Sequence, residues 1–238
     1  MKVLVISDNT IIFEKVRQIF LKNNLEDVTF DFGCSPESER VFSSWQDVSV
    51  IDVKAQAKTI VDNYQLVISC HCKKIFPPEL VNHVRCINIH PGLNPYNRGW
   101  YPQVFAINNK LPHGVTIHEM DEEIDHGDII AQKNLTIYPY ETSLDVYNRV
   151  LEAEVSLFED NFKSIIRNTY EPVKMSSSGN YNGISDFKEL CQLDLTQKGT
   201  LEEHIDLLRS MTHGEHKNAY FNYKGKKVFV GVSLVIEE

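Results

Sequence analysis

Residues 85–102 read RCINIHPGLNPYNRGWYP, a strand-like run that stops at a histidine and a proline and gives way to turn formers, one Arg and aromatic rings. Side chains alternate along a strand, so Asn88 and His90 share one face while Ile87 and Ile89 pack on the other. In an open α/β sheet, ligands sit beyond the carboxyl ends of the strands, and Pro91 and Gly92 mark that end. An amide and an imidazole placed there suit a reacting carbonyl. The Asn N–H holds a developing oxyanion, and the His transfers a proton or adds positive charge. On this tripeptide alone, a capped histidine in a turn is the plainer reading.

Upstream, KVLVIS (2–7) is a short apolar run, and Ile11, Ile12, Val16, Ile19 and Phe20 then fall at helical spacing up to Asn23 and Asn24. VTFDF (28–32) reads as a second strand. A polar stretch, a helix-like DVKAQAKTIVDNY (52–64) and a buried strand QLVISC (65–70) follow. FPPELVNHV (76–84) allows a short helix because Pro fits its first turn. Strands alternating with helices imply a Rossmann-like, mostly parallel sheet with helices on both faces.

Downstream, a helix opens at Pro102, and HGVTIHEMD (113–121) and GDIIAQKNLTI (127–137) alternate like longer strands. A capping-box pattern from Thr142 to Asp145 starts a long helix carrying Tyr147, Val150, Leu151, Phe158, Phe162 and Ile165 toward Asn168. The stretch KMSSSGNYNGISDF is rich in Ser, Gly and Asn, which places the boundary between a domain of residues 1–174 and a small region of residues 175–238. In that region a helix at LEEHIDLLRSM precedes a hairpin. Its Val228, Val230, Val232 and Leu234 form an apolar face that docks on the main domain or meets a second copy.

A net charge of −9 argues against broad nucleic-acid binding, whereas a small anion needs only a few local cations. No run of eighteen apolar residues spans a bilayer, and MKVLVISDNT lacks the apolar region of a signal peptide. Five cysteines without framework spacing suit reduced thiols, so the expectation is a cytoplasmic protein with no membrane partner. In Cys70-His71-Cys72 the two thiols would share a strand face with His71 opposite. No second cluster completes a site, so no metal is expected. The first βα turn, SDNT, lacks the glycines of a dinucleotide fingerprint, and there is no P-loop or GxSxG. Hydride transfer, phosphoryl transfer from ATP and serine hydrolysis lose most of their support.

Asp125 lies in EEIDHGDII, a loop between two strands that Gly127 turns. A carboxylate reaching His90 would favour the imidazolium and fix the ring. Neighbouring Glu122, Glu123 and Asp128 also fit a solvated charge run, and spacing does not decide between the two.

VISCHCKKIFPPELV, INIHPGLNPYNRGWYP, HGVTIHEMDEEIDHGDIIAQ and the long helix after them resemble the folate-dependent formyltransferases over roughly residues 1–170. That resemblance implies the formyltransferase fold and puts the family's catalytic Asn, His and Asp on Asn88, His90 and Asp125. Asn88 and a protonated His90 would stabilise the oxyanion, His90 would also move a proton, and Asp125 would hold His90. The cosubstrate would be N10-formyltetrahydrofolate, its pterin in a slot formed by Ile75, Phe76 and Pro77 with Met120, Asp121, Glu122, Glu123, Ile124 and Asp125. Phe76 and Ile124 serve there as apolar walls or as ordinary core.

The loop HPGLNPYNRGWYPQVF and the tail LLRSMTHGEHKNAYF look like sugar N-formyltransferases acting on dTDP-linked aminosugars. A methionyl-tRNA formyltransferase would instead bring a tRNA-binding domain and a basic surface. The resemblance leans toward dTDP-4-amino-4,6-dideoxyglucose as acceptor, in the synthesis of a surface polysaccharide such as the O-antigen of lipopolysaccharide. C3 versus C4 amine and dTDP versus another nucleotide stay open. Ser7 and Asn9 of the first turn, with Lys73, Lys74 and Arg98, would meet the sugar nucleotide and its diphosphate. Trp100 and Tyr101 would cover the base or sugar, or merely pack the following helix. A homodimer through the C-terminal hairpin is one further expectation. Two rivals remain: a glycinamide ribonucleotide formyltransferase, and a catalytically silent nucleotide-sugar-binding protein. His71, His113, His118 and His126 have no assigned role.

Overall fold

The computed structural model describes residues 1–23 and 25–237; Asn24, half of the helix stop read from the sequence, lies outside them. The chain opens with β1 (Lys2–Ser7), α1 (Thr10–Lys22), β2 (Thr29–Cys34), a short α2 (Glu39–Phe42), β3 (Val48–Val50), α3 (Ala57–Asn63), β4 (Leu66–Cys70) and α4 (Pro78–Val81). It continues through β5 (Arg85–His90), a two-residue β6 (Arg98–Gly99), α5 (Pro102–Asn109), β7 (His113–Glu119), β8 (Ile129–Leu135) and α6 (Ser143–Arg167). The last part holds β9 (Tyr181–Asn182), α7 (Ile184–Cys191), α8 (Leu201–Met211), β10 (Tyr220–Tyr223) and β11 (Lys226–Phe229).

The seven-stranded sheet runs β3-β2-β1-β4-β5-β7-β8. β1 to β5 are parallel, and β7 and β8 add antiparallel at one edge. Strand order reverses between β1 and β4, which opens a crevice at their carboxyl ends. One face, with Val3, Val5, Leu66, Ile68, Ile87 and Ile89, packs on α1 and α6. The other, with Leu4, Ile6, Val67 and Cys86, packs on α3 and α4. The alternation read along β5 is therefore the one observed.

α6 lies where the capping box predicts. Thr142 N–H donates to Asp145 Oδ2 at 2.8 Å, the Thr142 hydroxyl accepts from Asp145 N, and Asn168 stops the helix in the left-handed region. Its buried stripe sets Phe162 edge-on to Phe20 of α1 at 5.0 Å between ring centres. A buried ring of this kind stabilises the fold by about 3–5 kcal/mol relative to Ala.

The C-terminal region is fastened to the main domain. Arg209 of α8 is buried and donates to the carbonyls of Tyr138 (3.0 Å) and Glu141 (2.7 Å). The Ser-, Gly- and Asn-rich stretch also pairs back: Arg98 and Gly99 align with Tyr181 and Asn182, and Asn97 Oδ1 accepts from the amides of Asn180, Asn182 and Asn109. A Cβ on Gly179 would fall 1.8 Å from the Pro95 carbonyl oxygen, so only glycine permits that approach. The hairpin is shorter than its apolar alternation suggests. β10 begins at Tyr220 opposite Phe229, and beyond that pair Val230 N–H still bonds the Ala219 carbonyl at 2.9 Å. Val230, Val232 and Leu234 lie half-buried in an extended tail, with Val232 N–H on the Thr212 hydroxyl, while Val228 and Phe229 are exposed.

Candidate active site

β5 delivers Asn88 and His90 to the carboxyl edge, and the β7–β8 loop brings Asp125 to them with φ +50°. Asp125 Oδ1 accepts from Asn88 Nδ2 at 3.0 Å and lies 3.5 Å from His90 Nδ1. Its Oδ2 accepts from Gly99 N–H at 3.0 Å. The loop is clamped from below: Asn94 Nδ2 donates to the Asp125 carbonyl at 2.8 Å, and Arg98 donates to the Ile124 carbonyl at 2.9 Å. Glycine is required at two points. A Cβ on Gly127 would overlap the Glu119 carbonyl at 1.9 Å, and one on Gly92 would sit 2.4 Å from His90 Nε2.

His90 is 3 % exposed, and its Nε2 has no hydrogen-bond partner among the described residues. Burial pulls its pKa down to about 4, and Asp125 offsets this only in part. Asp125 is half-buried, which raises its pKa, yet His90, His118 and the Gly99 N–H hold it well below the usual carboxylate range. The expectation of a protonated His90 is therefore corrected. At neutral pH the ring is neutral beside an ionised Asp125, and its bare nitrogen is a proton acceptor.

The sequence reading passed over His118. Its Nδ1–H donates to the Glu119 carbonyl at 2.6 Å, which leaves Nε2 as an acceptor 3.3 Å from Asn88 Nδ2. Both hydrogens of the Asn88 amide are thus engaged, one by Asp125 and one by His118. A further acceptor at Asn88 Nδ2 would have to displace one of these two contacts. The contact follows from the pairing of Asn88 with His118 across β5 and β7, a register that no local pattern in the sequence reveals.

Around the folate-slot residues, Ile75 is 69 % exposed and Ile124 39 %. Phe76 is buried in the α3–α4 cluster with Met120 against it, so its ring is core and not a wall. Met120 N–H bonds the Cys86 carbonyl at 2.8 Å, Pro77 starts α4, Asp121 meets His126, Glu122 meets Asn82, and Glu123 is exposed.

Several residues assigned to the sugar nucleotide serve the scaffold. Ser7 is fully buried and bonds the Asn9 backbone; Asn9 caps α1. Arg98 is buried, with its guanidinium on the Ile124 carbonyl, where it props the Asp125 loop. Lys74 pairs with Glu37, whereas Lys73 is exposed and uses its backbone N–H to bond Asp8 at 2.7 Å. Tyr101 opens α5 with its ring 4.3 Å from that of Phe187, and Trp100 stands beside it, half-buried. Among the described residues no group of three His, Cys, Asp or Glu side chains is placed to hold a metal ion, and no helix is long and apolar enough to cross a membrane.

Residues 2–161 match the formyl transferase family, and residues 186–238 match the N-formyltransferase dimerization C-terminal domain. A dTDP-4-amino-4,6-dideoxyglucose formyltransferase of Mycobacterium bovis is 44% identical over 188 residues, covering 79% of this chain and 80% of that protein. Among solved structures, a sugar N-formyltransferase from a Shewanella species superposes with a TM-score of 0.96 at 46% identity over 100% of this chain and 99% of that one. A 4-N formyltransferase from Francisella tularensis gives 0.95 at 46% identity over 99% and 98%. The match runs through every strand and helix that positions Asn88, His90 and Asp125, and the chain belongs to the formyl transferase family.

Proposed function

We propose that this formyltransferase moves the formyl group of N10-formyltetrahydrofolate to the 4-amine of a dTDP-linked aminosugar, dTDP-4-amino-4,6-dideoxyglucose. The observation that carries the reading is the buried His90 at the end of β5, its Nδ1 3.5 Å from Asp125 and its Nε2 without a hydrogen-bond partner among the described residues; burial favours the neutral ring. The choice of acceptor is supported by likeness to the Mycobacterium bovis enzyme of that name and to the Francisella 4-N formyltransferase.

As the amine attacks the formyl carbon, His90 takes a proton from the attacking nitrogen and delivers it to the departing folate nitrogen. Asp125 stabilises the imidazolium that forms in between. Asn88 turns an N–H to the developing oxyanion as His118 releases it. The exposed Ile75 and Ile124 flank the folate, and Trp100 and Tyr101 flank the acceptor. Exposed Val228, Phe229, Val235 and Ile236 support pairing of two copies through the C-terminal region. The formylated sugar is a building block for a surface polysaccharide, made in the cytoplasm.

Incubating the protein with N10-formyltetrahydrofolate and a panel of nucleotide-linked aminosugars, with products read by mass spectrometry, tests this. Formylation of the dTDP 4-aminosugar is expected. Formylation of glycinamide ribonucleotide and of no aminosugar overturns it.

A further inference from the structure

A second imidazole and carboxylate are buried together at the same edge of the sheet. β4 pairs Cys70 with Ile89 of β5, so His71, just past the end of β4, comes level with His90, the last residue of β5, on strands about 4.8 Å apart. His71 adopts φ +58°, uncommon for a residue with a side chain, and sets Nε2 3.0 and 2.9 Å from the two oxygens of Glu154. Glu154 is fully buried on α6, and the His71 side chain is 11% exposed. A carboxylate accepts, so Nε2 carries the hydrogen and Nδ1 presents its lone pair. Asn9 Nδ2 lies 3.4 Å from that Nδ1 but makes its short bond, 2.6 Å, to the Tyr147 hydroxyl. Nδ1 is thus a weakly engaged base in the crevice between β1 and β4.

Proton balance gives such a base a task. An acceptor amine with a pKa of about 8, that of an α-amino group, arrives mostly as an ammonium at neutral pH. Forming the amide strips two protons from that nitrogen. One ends on N10 of the folate as the formyl C–N bond breaks, and the other leaves to water. His90, with one free nitrogen, serves the first.

We propose that His71, held by Glu154, takes the second: Nδ1 accepts a proton from the ammonium as the aminosugar docks, and the freed lone pair forms the bond to the formyl carbon. The imidazolium, paired with Glu154, then returns the proton to water. This rests on the aminosugar reading above. Burial raises the proton affinity of Glu154, whose two oxygens face the His71 Nε2–H.

The titratable groups around His71 are Glu154 and Tyr147 of α6, His90 at the end of β5, Cys70 and Cys72 on either side, and Asp8, whose N–H meets the His71 carbonyl. Burial pushes Tyr147 and Cys72 up to about 12 and Cys70 well above its usual value. Asp8 is buried, yet donors from Ser35 and Lys73 hold it below the ordinary range. With His90 at about 4, these neighbours keep one protonation state near neutrality.

The test is the pH profile of kcat/KM for the acceptor, at saturating N10-formyltetrahydrofolate, in wild type, His71→Asn and Glu154→Gln. Without the base only amine that is already neutral reacts. His71→Asn should then lose about tenfold one pH unit below the amine pKa, about a hundredfold at two units, and converge on wild type above it. Glu154→Gln should show a smaller loss with the same convergence. A loss equal at every pH, or no loss in either variant, overturns the proposal. Tetrahydrofolate binding by each variant checks that it is folded, and Glu154→Gln decides alone where His71→Asn is not. Wild-type protein that formylates no aminosugar refutes the parent reading instead, so the two failures are distinguishable.

Discussion

Replacing His90 by Asn should change how stability depends on pH as well as activity. The ring titrates at about 4 in the folded protein against 6.5 when free, because burial disfavours its charge. A folded-state pKa depressed below the unfolded value means that the unfolded chain binds the proton first. The stabilisation is whole above 6.5 and drains away as pH falls toward 4. At 1.36 kcal/mol per unit, the drain reaches about 2 kcal/mol at about pH 5 and about 3 kcal/mol below the folded pKa. His113, also pulled to about 4 by burial, titrates in both proteins and cancels in the difference. Urea unfolding of wild type and His90→Asn at about pH 8 and about pH 5 should therefore show the gap between them shifting by about 2 kcal/mol against wild type. A gap that stays constant across that range would mean that the ring titrates in the fold as it does in the unfolded chain, and a gap that moves in favour of wild type that it is charged in the fold; either result refutes the burial argument for a neutral His90.

Asn88→Ala should lower kcat by about 10²–10³ while tetrahydrofolate affinity stays nearly unchanged, read by single-turnover kinetics and calorimetry; a KM effect alone would place Asn88 in binding. Arg98→Ala removes the donor on the Ile124 carbonyl and should destabilise the protein by about 1–3 kcal/mol and raise the folate KM. An unchanged denaturation midpoint with a raised KM for the sugar nucleotide would return Arg98 to the diphosphate. Sedimentation should show a dimer for wild type and a monomer for the double variant Val228→Asp, Ile236→Asp; a monomeric wild type removes the dimer.

What could be read in the sequence follows the range of the physics. The shared face of Asn88 and His90 needs only a strand and its period of two, and α6 announces itself through a capping box and a long apolar stripe. Asp125 was visible as a carboxylate in a turn, but its partners Gly99 and Asn94 are fixed by tertiary placement. His118 requires the β5–β7 register, and the His71–Glu154 contact joins residues far apart in the chain. An Arg in a polar loop looks solvated until burial is known, so the contact of Arg98 with the Ile124 carbonyl could not be read from the sequence. The protonation of His90 turned on the same point: a nearby Asp suggests an imidazolium, and only the depth of the ring reverses the sign. α2 and β3 are too short for any periodicity to reveal.

The pairing of Gly99 with Asn182 bears on the order in which the protein is made. Gly99 N–H holds Asp125, and Gly99 is itself held by residues that leave the ribosome long after the catalytic strand. A nascent chain ending at 174 contains Asn88, His90 and Asp125 yet lacks the strap that fixes the loop between them. A chain cut at the Ser- and Gly-rich stretch keeps the contacts of Asn88, Asn94 and Arg98 to that loop and loses the backbone pairing that seats Gly99, so the last of the holds on Asp125 is set only when residues 180–182 have been made.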